Sequence, residues 1–337
     1  MTGIEKMKAA LDFKGGDEIP VDLWIHPATR MRHGKALEDL LKKYPLDMAR
    51  VFGPMDRQYY EKTFTVGLND DFWGSKWQVL RPGMVGEVKY PALPDIDNVN
   101  ELKVPYDSLR SEMASLMPGV KQRIADLHAD GIFCTGGYVE LYQCMQFIHG
   151  TENLLCNIGA GDDNVKVLRD KVAEYFLEYL NYWLDSDADA IFFADDFGSQ
   201  RATLMGLHTF REYFCDFYKE AFDRVHKAGK YVFFHSCGYI YDFYQDFIDM
   251  GVDAINSQIH CMGYEKVADV GAGKITFWGE IDRQKTLFQG SPQDVKTEME
   301  KMKRLFHVNG GGLIGHSVAG VDVPLENIEM LLSGWNA

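Results

Sequence analysis

The pair of side chains best suited to chemistry in this sequence is a histidine and a cysteine two residues apart, in Phe233-Phe234-His235-Ser236-Cys237-Gly238. The apolar run Tyr231-Val232-Phe233-Phe234 that precedes them reads as a short buried strand. Residues i and i+2 of a strand point to the same side. The imidazole and the thiol therefore leave the strand end together, as two ligands of one metal ion must. Zinc accepts a mixed nitrogen and sulfur set, and its charge deprotonates a coordinating thiol. The plainer reading is a reduced, buried cysteine beside an unrelated histidine, and two ligands alone do not separate the readings.

A strand that presents ligands needs neighbours, and the chain supplies them in a regular rhythm. Residues 1–14 read as a helix, 19–25 as a strand ending at His26, 35–44 as an amphipathic helix and 47–52 as a second strand. From 60 to 105 the pattern changes to short alternating segments with turn signals, as expected of hairpins and loops inserted into the main architecture. Beyond 105, helices at 108–129, 164–186, 208–228, 240–250 and 292–307 alternate with short apolar strands at 131–135, 189–194, 231–234, 252–256, 274–278 and 312–315. A last helix starts at Pro324, which suits a first helical turn. Strands alternating with helices indicate a parallel sheet covered on both faces. Eight of them predict an α/β fold, a (β/α)8 TIM barrel forming a single domain over 1–337. Its active site would sit at the carboxyl ends of the strands. A doubly wound open sheet fits less well, because no Gly-x-Gly-x-x-Gly turn follows the first strand.

Polar and metal-capable groups collect at those strand ends. Strand one ends in Trp24 and His26, strand three leads to Tyr138 and Glu140, and strand four ends in Asp195-Asp196-Phe197-Gly198. Strand six runs to Gln258, with His260 and Cys261 in the loop beyond; strand seven ends in Gly279-Glu280 and strand eight in His316-Ser317. Asp195, Asp196 and Glu280 are the catalytic candidates, although one aspartate of the pair is expected to cap a helix instead. His316, in a glycine-rich stretch, offers a third ligand beside His235 and Cys237, and a catalytic zinc site wants three protein ligands and one open position. Trp24, Tyr138, Phe197, Tyr239 and Trp278 are candidates to line the mouth, with His26, Glu140 and Gln258 as polar partners for a substrate. Aromatic residues in strands are more often core than platform.

Composition narrows the partners. The 337 residues include 46% hydrophobic and 25% charged, an ordinary globular mixture, and carry a formal net charge of −15. That charge argues against nucleic acid or an anionic membrane surface as partner. No apolar run approaches the roughly 18 residues of a membrane span. The N-terminal stretch mixes charges with apolar residues at helical spacing, unlike a signal peptide. Six scattered cysteines show no disulfide framework, so reduced thiols and a cytoplasmic location are expected.

FFHSCG, followed by Gly251-Val252-Asp253-Ala254-Ile255-Asn256, Phe277-Trp278-Gly279-Glu280-Ile281-Asp282 and Pro324-Leu325-Glu326-Asn327-Ile328, resembles the uroporphyrinogen decarboxylase superfamily. Asp71-Phe72-Trp73-Gly74-Ser75-Lys76-Trp77 and Asp195-Asp196-Phe197-Gly198-Ser199-Gln200 resemble motifs of its cobalamin-dependent methyltransferase branch. The resemblance implies a (β/α)8 barrel and a zinc held by a His-x-Cys pair, a later cysteine and an acidic residue. His235 and Cys237 match the pair. At the later cysteine this chain has Gly315-His316-Ser317, with His316 as substitute; the acidic ligand falls near Gln258, with Glu280 as its replacement.

The resemblance further implies a corrinoid (cobalamin) carried by a partner protein, and a small-molecule methyl donor or acceptor. An aromatic methyl ether, hence O-demethylation, suits an apolar mouth; transfer from methylcobalamin to a thiol fits the same His-Cys pair. Two readings compete. A uroporphyrinogen decarboxylase-like lyase lacks its N-terminal arginine motif here, where the chain reads Trp24-Ile25-His26-Pro27-Ala28-Thr29-Arg30-Met31-Arg32. A non-catalytic binding barrel would use the pair structurally. A homodimer is compatible with all of these.

Overall fold

The structure is a computed structural model and describes residues 1–51 and 65–336. Its strands are β1 (Trp24–Ile25), β2 (Met48–Val51), β3 (Gly67–Asp70), β4 (Lys76–Val79), β5 (Glu87–Tyr90), β6 (Phe133–Val139), β7 (Ala190–Ala194), β8 (Tyr231–Ser236), β9 (Ala254–Ser257), β10 (Thr276–Trp278), β11 (Leu313–Ile314) and β12 (Val318–Ala319). Seven of them form one curled sheet in the order β11-β10-β9-β8-β7-β6-β2, every pairing parallel. The gap between its edges is filled by the first strand segment. β1 pairs parallel with β12, Val21 bridges Gly315, and the Asp47 amide donates to the Val21 carbonyl (2.9 Å). Eight parallel segments thus close into the (β/α)8 barrel, and all eight expected strands are among them; of the second, Phe52 lies outside the described residues.

Both faces of these strands are buried, which is why they read as unbroken apolar runs. Ala190, Phe192, Ala194, Phe233, Ala254 and Trp278 share one interior cluster, while Ile191, Phe193, Val232, Phe234, Ile255 and Phe277 pack outward with the helices. His235 follows Phe233 by two residues and continues the inward row. The floor of the barrel is closed by the helix Gly3–Asp12, whose Met7 and Leu11 join the interior cluster. That helix begins in a capping box between Thr2 and Glu5, and its Ala10 carbonyl accepts from the Gly312 amide and the Thr276 hydroxyl.

The helices follow the expected rhythm with local revisions. The helix expected at 35–44 begins earlier, spanning Pro27–Lys43 with a kink at Gly34 (φ 49°). The one expected at 208–228 is α-helical over Leu207–Phe210 and Asp216–Lys227 with a π-helical stretch, Arg211–Cys215, between them. Pro324 is the residue before the last helix, Leu325–Ser333, rather than its first turn. Of the expected insertion, residues 60–64 lie outside the described residues. From 67 onward β3, β4 and β5 make an antiparallel sheet. The Asp71-Phe72-Trp73-Gly74-Ser75-Lys76-Trp77 motif builds its first turn: Asp71 accepts from the Trp73 and Ser75 amides and the Trp77 indole. Among the described residues no helix is long and apolar enough to cross a membrane.

Candidate metal centre

At the carboxyl end of β8, His235 and Cys237 emerge on one side, with Cys237 Sγ 3.3 Å from His235 Nε2. From the end of β7, Asp196 completes the group. Its Oδ1 lies 3.5 Å from His235 Nε2 and accepts the Cys237 amide at 2.8 Å. The three ligand atoms lie within 4.8 Å of one another. Ligands at the corners of a zinc tetrahedron, with bonds of about 2.0–2.3 Å, stand roughly 3.3–3.7 Å apart. The 3.3 and 3.5 Å separations fit that figure.

This convergence needs the loops after β7 and β8 to touch, and two glycines permit it. A Cβ on Gly198 would fall 2.5 Å from the Tyr239 amide nitrogen, and one on Gly238 (φ +79°) 2.3 Å from the Gly198 carbonyl oxygen. The Tyr239 amide then donates to Ser199 O at 2.7 Å. The imidazole is aimed from behind: His235 Nδ1 contacts Asn256 Oδ1, and the Asn256 amide nitrogen donates to the Trp278 carbonyl. With Nδ1 engaged, Nε2 is the nitrogen left for an ion, the usual outer support of a metal-binding histidine.

The three side chains also offset one another's burial. Burial by itself would neutralise both Asp196 and His235. For Asp196 burial is outweighed by hydrogen bonding to His235, the charge on that ring and the Cys237 amide, which hold the carboxyl below its usual range. For His235 burial is outweighed by its contacts with Cys237 and Asp196, which push the imidazole up to about 10.

Asp195, one residue earlier, has a different task. It is fully buried, and its oxygens accept the Tyr142 and Gln143 amides at 3.1 and 2.6 Å and the Tyr218 hydroxyl. It therefore caps the helix Leu141–His149, whose own N-cap residue, Glu140, makes no side-chain capping bond. Burial raises its carboxyl to about 7, against the pull of Tyr218 and the two amides. Both oxygens serve the fold rather than a reacting group.

The other expected site residues divide. His316 is completely buried with Nδ1 3.0 Å from Asp22 Oδ2, and its ring packs on Trp24 and Trp278; the structure does not bring it into the three-residue group. Glu280 is also completely buried and outside the group, with Oε1 3.5 Å from Arg283 Nε. Trp24 lies in the mouth, its ring 5.1 Å from that of His235. Trp278 is buried beneath it, tied by its indole N–H to Asp22. Phe197 is fully enclosed in an aromatic core with Tyr142, Phe210 and Phe214, so it offers a ligand no surface. Gln258 accepts the Gly238 amide at 2.9 Å and so fixes the loop after Cys237. Tyr239 sits outward, where Lys266 donates to its hydroxyl. Tyr138 and Glu140 line a narrow cavity of about 70 Å³ with Asp71, Trp73 and Tyr175. His260 and Cys261 occupy a short helical turn, Ile259–Met262, and also stay outside the group.

Two residues that touch the His-Cys pair carried no sequence signal strong enough to single them out. Asn256 ends a strand like many others. Arg283, three residues past Glu280, reaches back to place Nη2 3.2 Å from Cys237 Sγ. It also lines, with His26, Met84, Phe288 and Val321, a cavity of about 300 Å³. Arg283 therefore links the cavity to the thiol, which is not itself among the residues that line it. Nearby, Trp24 Nε1, both Glu280 oxygens and both His316 nitrogens are buried and make no hydrogen bond among the described residues, although His316 Nδ1 and Glu280 Oε1 keep their ion-pair contacts with Asp22 and Arg283.

Comparison with known proteins locates this arrangement in a family. A methyltransferase from Methanosarcina mazei superposes with a TM-score of 0.73 at 16% identity, covering 99% of this chain and 98% of that one; the likeness is one of fold. A glycoside hydrolase family 10 endo-β-1,4-xylanase from Gloeophyllum trabeum gives 0.37 at 11% identity, over 61% of this chain and 77% of its own. No curated protein sequence matches the chain significantly. The family model for uroporphyrinogen decarboxylase (URO-D) matches residues 80–335, a stretch that holds β6 to β12 and every member of the Asp-His-Cys group. The chain belongs to the uroporphyrinogen decarboxylase family.

Proposed function

We propose that the chain is a zinc-dependent methyltransferase that moves a methyl group from a small donor, of the aromatic methyl ether type, to the corrinoid of a partner protein. The observation that carries this reading is the convergence of His235 Nε2, Cys237 Sγ and Asp196 Oδ1, in which the imidazole stands 3.3 and 3.5 Å from the other two, close to the edge length of a zinc tetrahedron. These three side chains would hold the ion, and Asp196 takes the ligand role first expected of His316. The name of the Methanosarcina mazei neighbour, a methyltransferase, accords with the reading. When bound, zinc supplies Lewis acidity toward the donor's oxygen, and the partner's corrinoid supplies the nucleophile that accepts the methyl group.

The chain's own residues do the rest. Asn256 fixes the ring plane of His235. Arg283 donates to the Cys237 sulfur, offsetting the thiolate's charge without coordinating. Trp24 stands against His235 as an apolar wall of the mouth. His26 borders the cavity that Arg283 lines; burial, with Arg283 close by, pushes its pKa down, so it is a neutral hydrogen-bonding group at pH 7.

The first experiment is the metal content of the purified protein beside a Cys237→Ala variant, followed by demethylation of methoxyarenes with cob(I)alamin. About one zinc per chain, lost in the variant, together with demethylation, is the expected result. Methylation of a thiol by methylcobalamin without demethylation would reverse the direction of transfer. Protein that remains metal-free in zinc-containing medium would overturn the reading in favour of a decarboxylase-like or binding barrel.

A further inference from the structure

We propose that Arg283 is the anchor for an anionic group on the small substrate, so that the methyl donor is an organic acid anion and not a neutral ether. This rests on the reading of the cavity that Arg283 lines as the donor site. The guanidinium carries five N–H donors in a planar fork. Among the described contacts, Nε faces Glu280 at 3.5 Å and Nη2 faces Cys237 Sγ at 3.2 Å. Three N–H donors remain for a ligand. The side chain retains 24% of its exposure and lines the cavity of about 300 Å³.

The charges around the cavity favour the same conclusion. Its other charged wall residue, Asp322, lies 3.5 Å from Arg32 on the exposed rim, while Arg283 stands 3.5 Å from the buried Glu280. Among the residues that line the cavity, Arg283 is the cation with donors to spare. Met84, Phe288, Val321 and Val323 supply apolar walls for the body of the molecule. A carboxylate is the matching group, because it accepts two parallel N–H bonds from one guanidinium. With the acid end on Arg283, the body of the molecule extends from that side chain into the cavity.

The test is calorimetric binding of two pairs of probes that differ in the acid group: 3-methoxybenzoate against anisole, and 3-(methylthio)propanoate against ethyl methyl sulfide. Wild-type protein should bind each carboxylate at least about tenfold more tightly than its neutral counterpart, as expected for a charge-assisted bidentate contact. Arg283→Gln should bring each pair to within about twofold, and Arg283→Lys should keep an intermediate preference. Equal affinities in the wild type, no binding of either carboxylate, or a preference that survives Arg283→Gln would overturn the proposal. A merely structural role for Arg283 would weaken both members of a pair alike. The comparison is run on zinc-loaded and on zinc-stripped protein with metal content measured in parallel. Failure to hold zinc would count against the proposed function, while the acid preference reports on Arg283 by itself.

Discussion

The barrel holds two groups made of the same three residue types, one at each end, and they behave differently. At the carboxyl end of the strands stand Asp196, His235 and Cys237; at the opposite end stand His128, Cys134 and Asp189. In the lower group Asp189 Oδ2 already accepts the Cys134 amide at 2.9 Å and lies 2.8 Å from His128 Nε2. The Cys134 sulfur turns to the Ile132 carbonyl, and burial, reinforced by Asp189, pushes its thiol up to about 12. In the upper group the sulfur faces an imidazole and a guanidinium. What differs is the surroundings of the sulfur: an imidazole and a guanidinium in one group, a backbone carbonyl in the other.

The lower arrangement is also a repeated structural device. Asp253, just before β9, accepts the Val232 amide at 2.7 Å and lies 2.9 Å from His226 Nε2, as Asp189 does two βα units earlier with Cys134 and His128. Asp47, before β2, accepts the Val21 amide in the same way. An aspartate at the start of one strand thus ties down the amide of its neighbour. In two of the three cases it also holds the histidine that ends the neighbour's helix.

The sharpest way to break this contrast is to remove each cysteine. Cys237→Ala should abolish zinc binding, while Cys134→Ala should leave about one zinc per chain, both read by metal analysis. The next largest effect separates the adjacent aspartates. Asp195→Ala leaves two helix amides and a buried phenol without an acceptor and should cost about 2–5 kcal/mol in denaturant unfolding. Asp196→Asn should change stability little but lower zinc affinity by more than the roughly 10–100-fold of an outer-shell change. Third, Asp189→Asn should cost about 1–3 kcal/mol without altering zinc content; loss of zinc there would make the lower group a metal site after all.

The smallest effect is a pH dependence at the repeated device. The hydrogen bond to Asp253, opposed by burial, raises the pKa of His226. A raised histidine contributes stability that is fully present below its unfolded value, near 6.5, and lost as the pH climbs through the higher folded value. His226→Gln should therefore narrow the stability difference between pH 6 and pH 8. The change should be only a few tenths of a kcal/mol, since the pair is partly exposed and screened.

The βα rhythm was legible because strand and helix periods are local: each buried run announced itself, and eight of them permit few arrangements. The common direction of His235 and Cys237 was legible for the same reason. The mouth lining was less so. Trp24, Phe197 and Trp278 all stand near strand ends in sequence, yet Phe197 enters the core outside the barrel and Trp278 the core inside it. Strand alternation says that side chains take opposite faces; it does not say which residue at the end of a strand is the last to be covered.

Sequence by itself determined the barrel and the common direction of the His-x-Cys pair, because each follows from the order of residues along a short stretch. Tertiary structure alone decided between Asp195 and Asp196, excluded His316 from the group, and brought Arg283 to the sulfur. Those choices depend on the loops after β7 and β8 meeting at Gly198 and Gly238, and on neighbours 41 and 46 residues away reaching Cys237. Contacts between strands are set by barrel closure, and no local period encodes them.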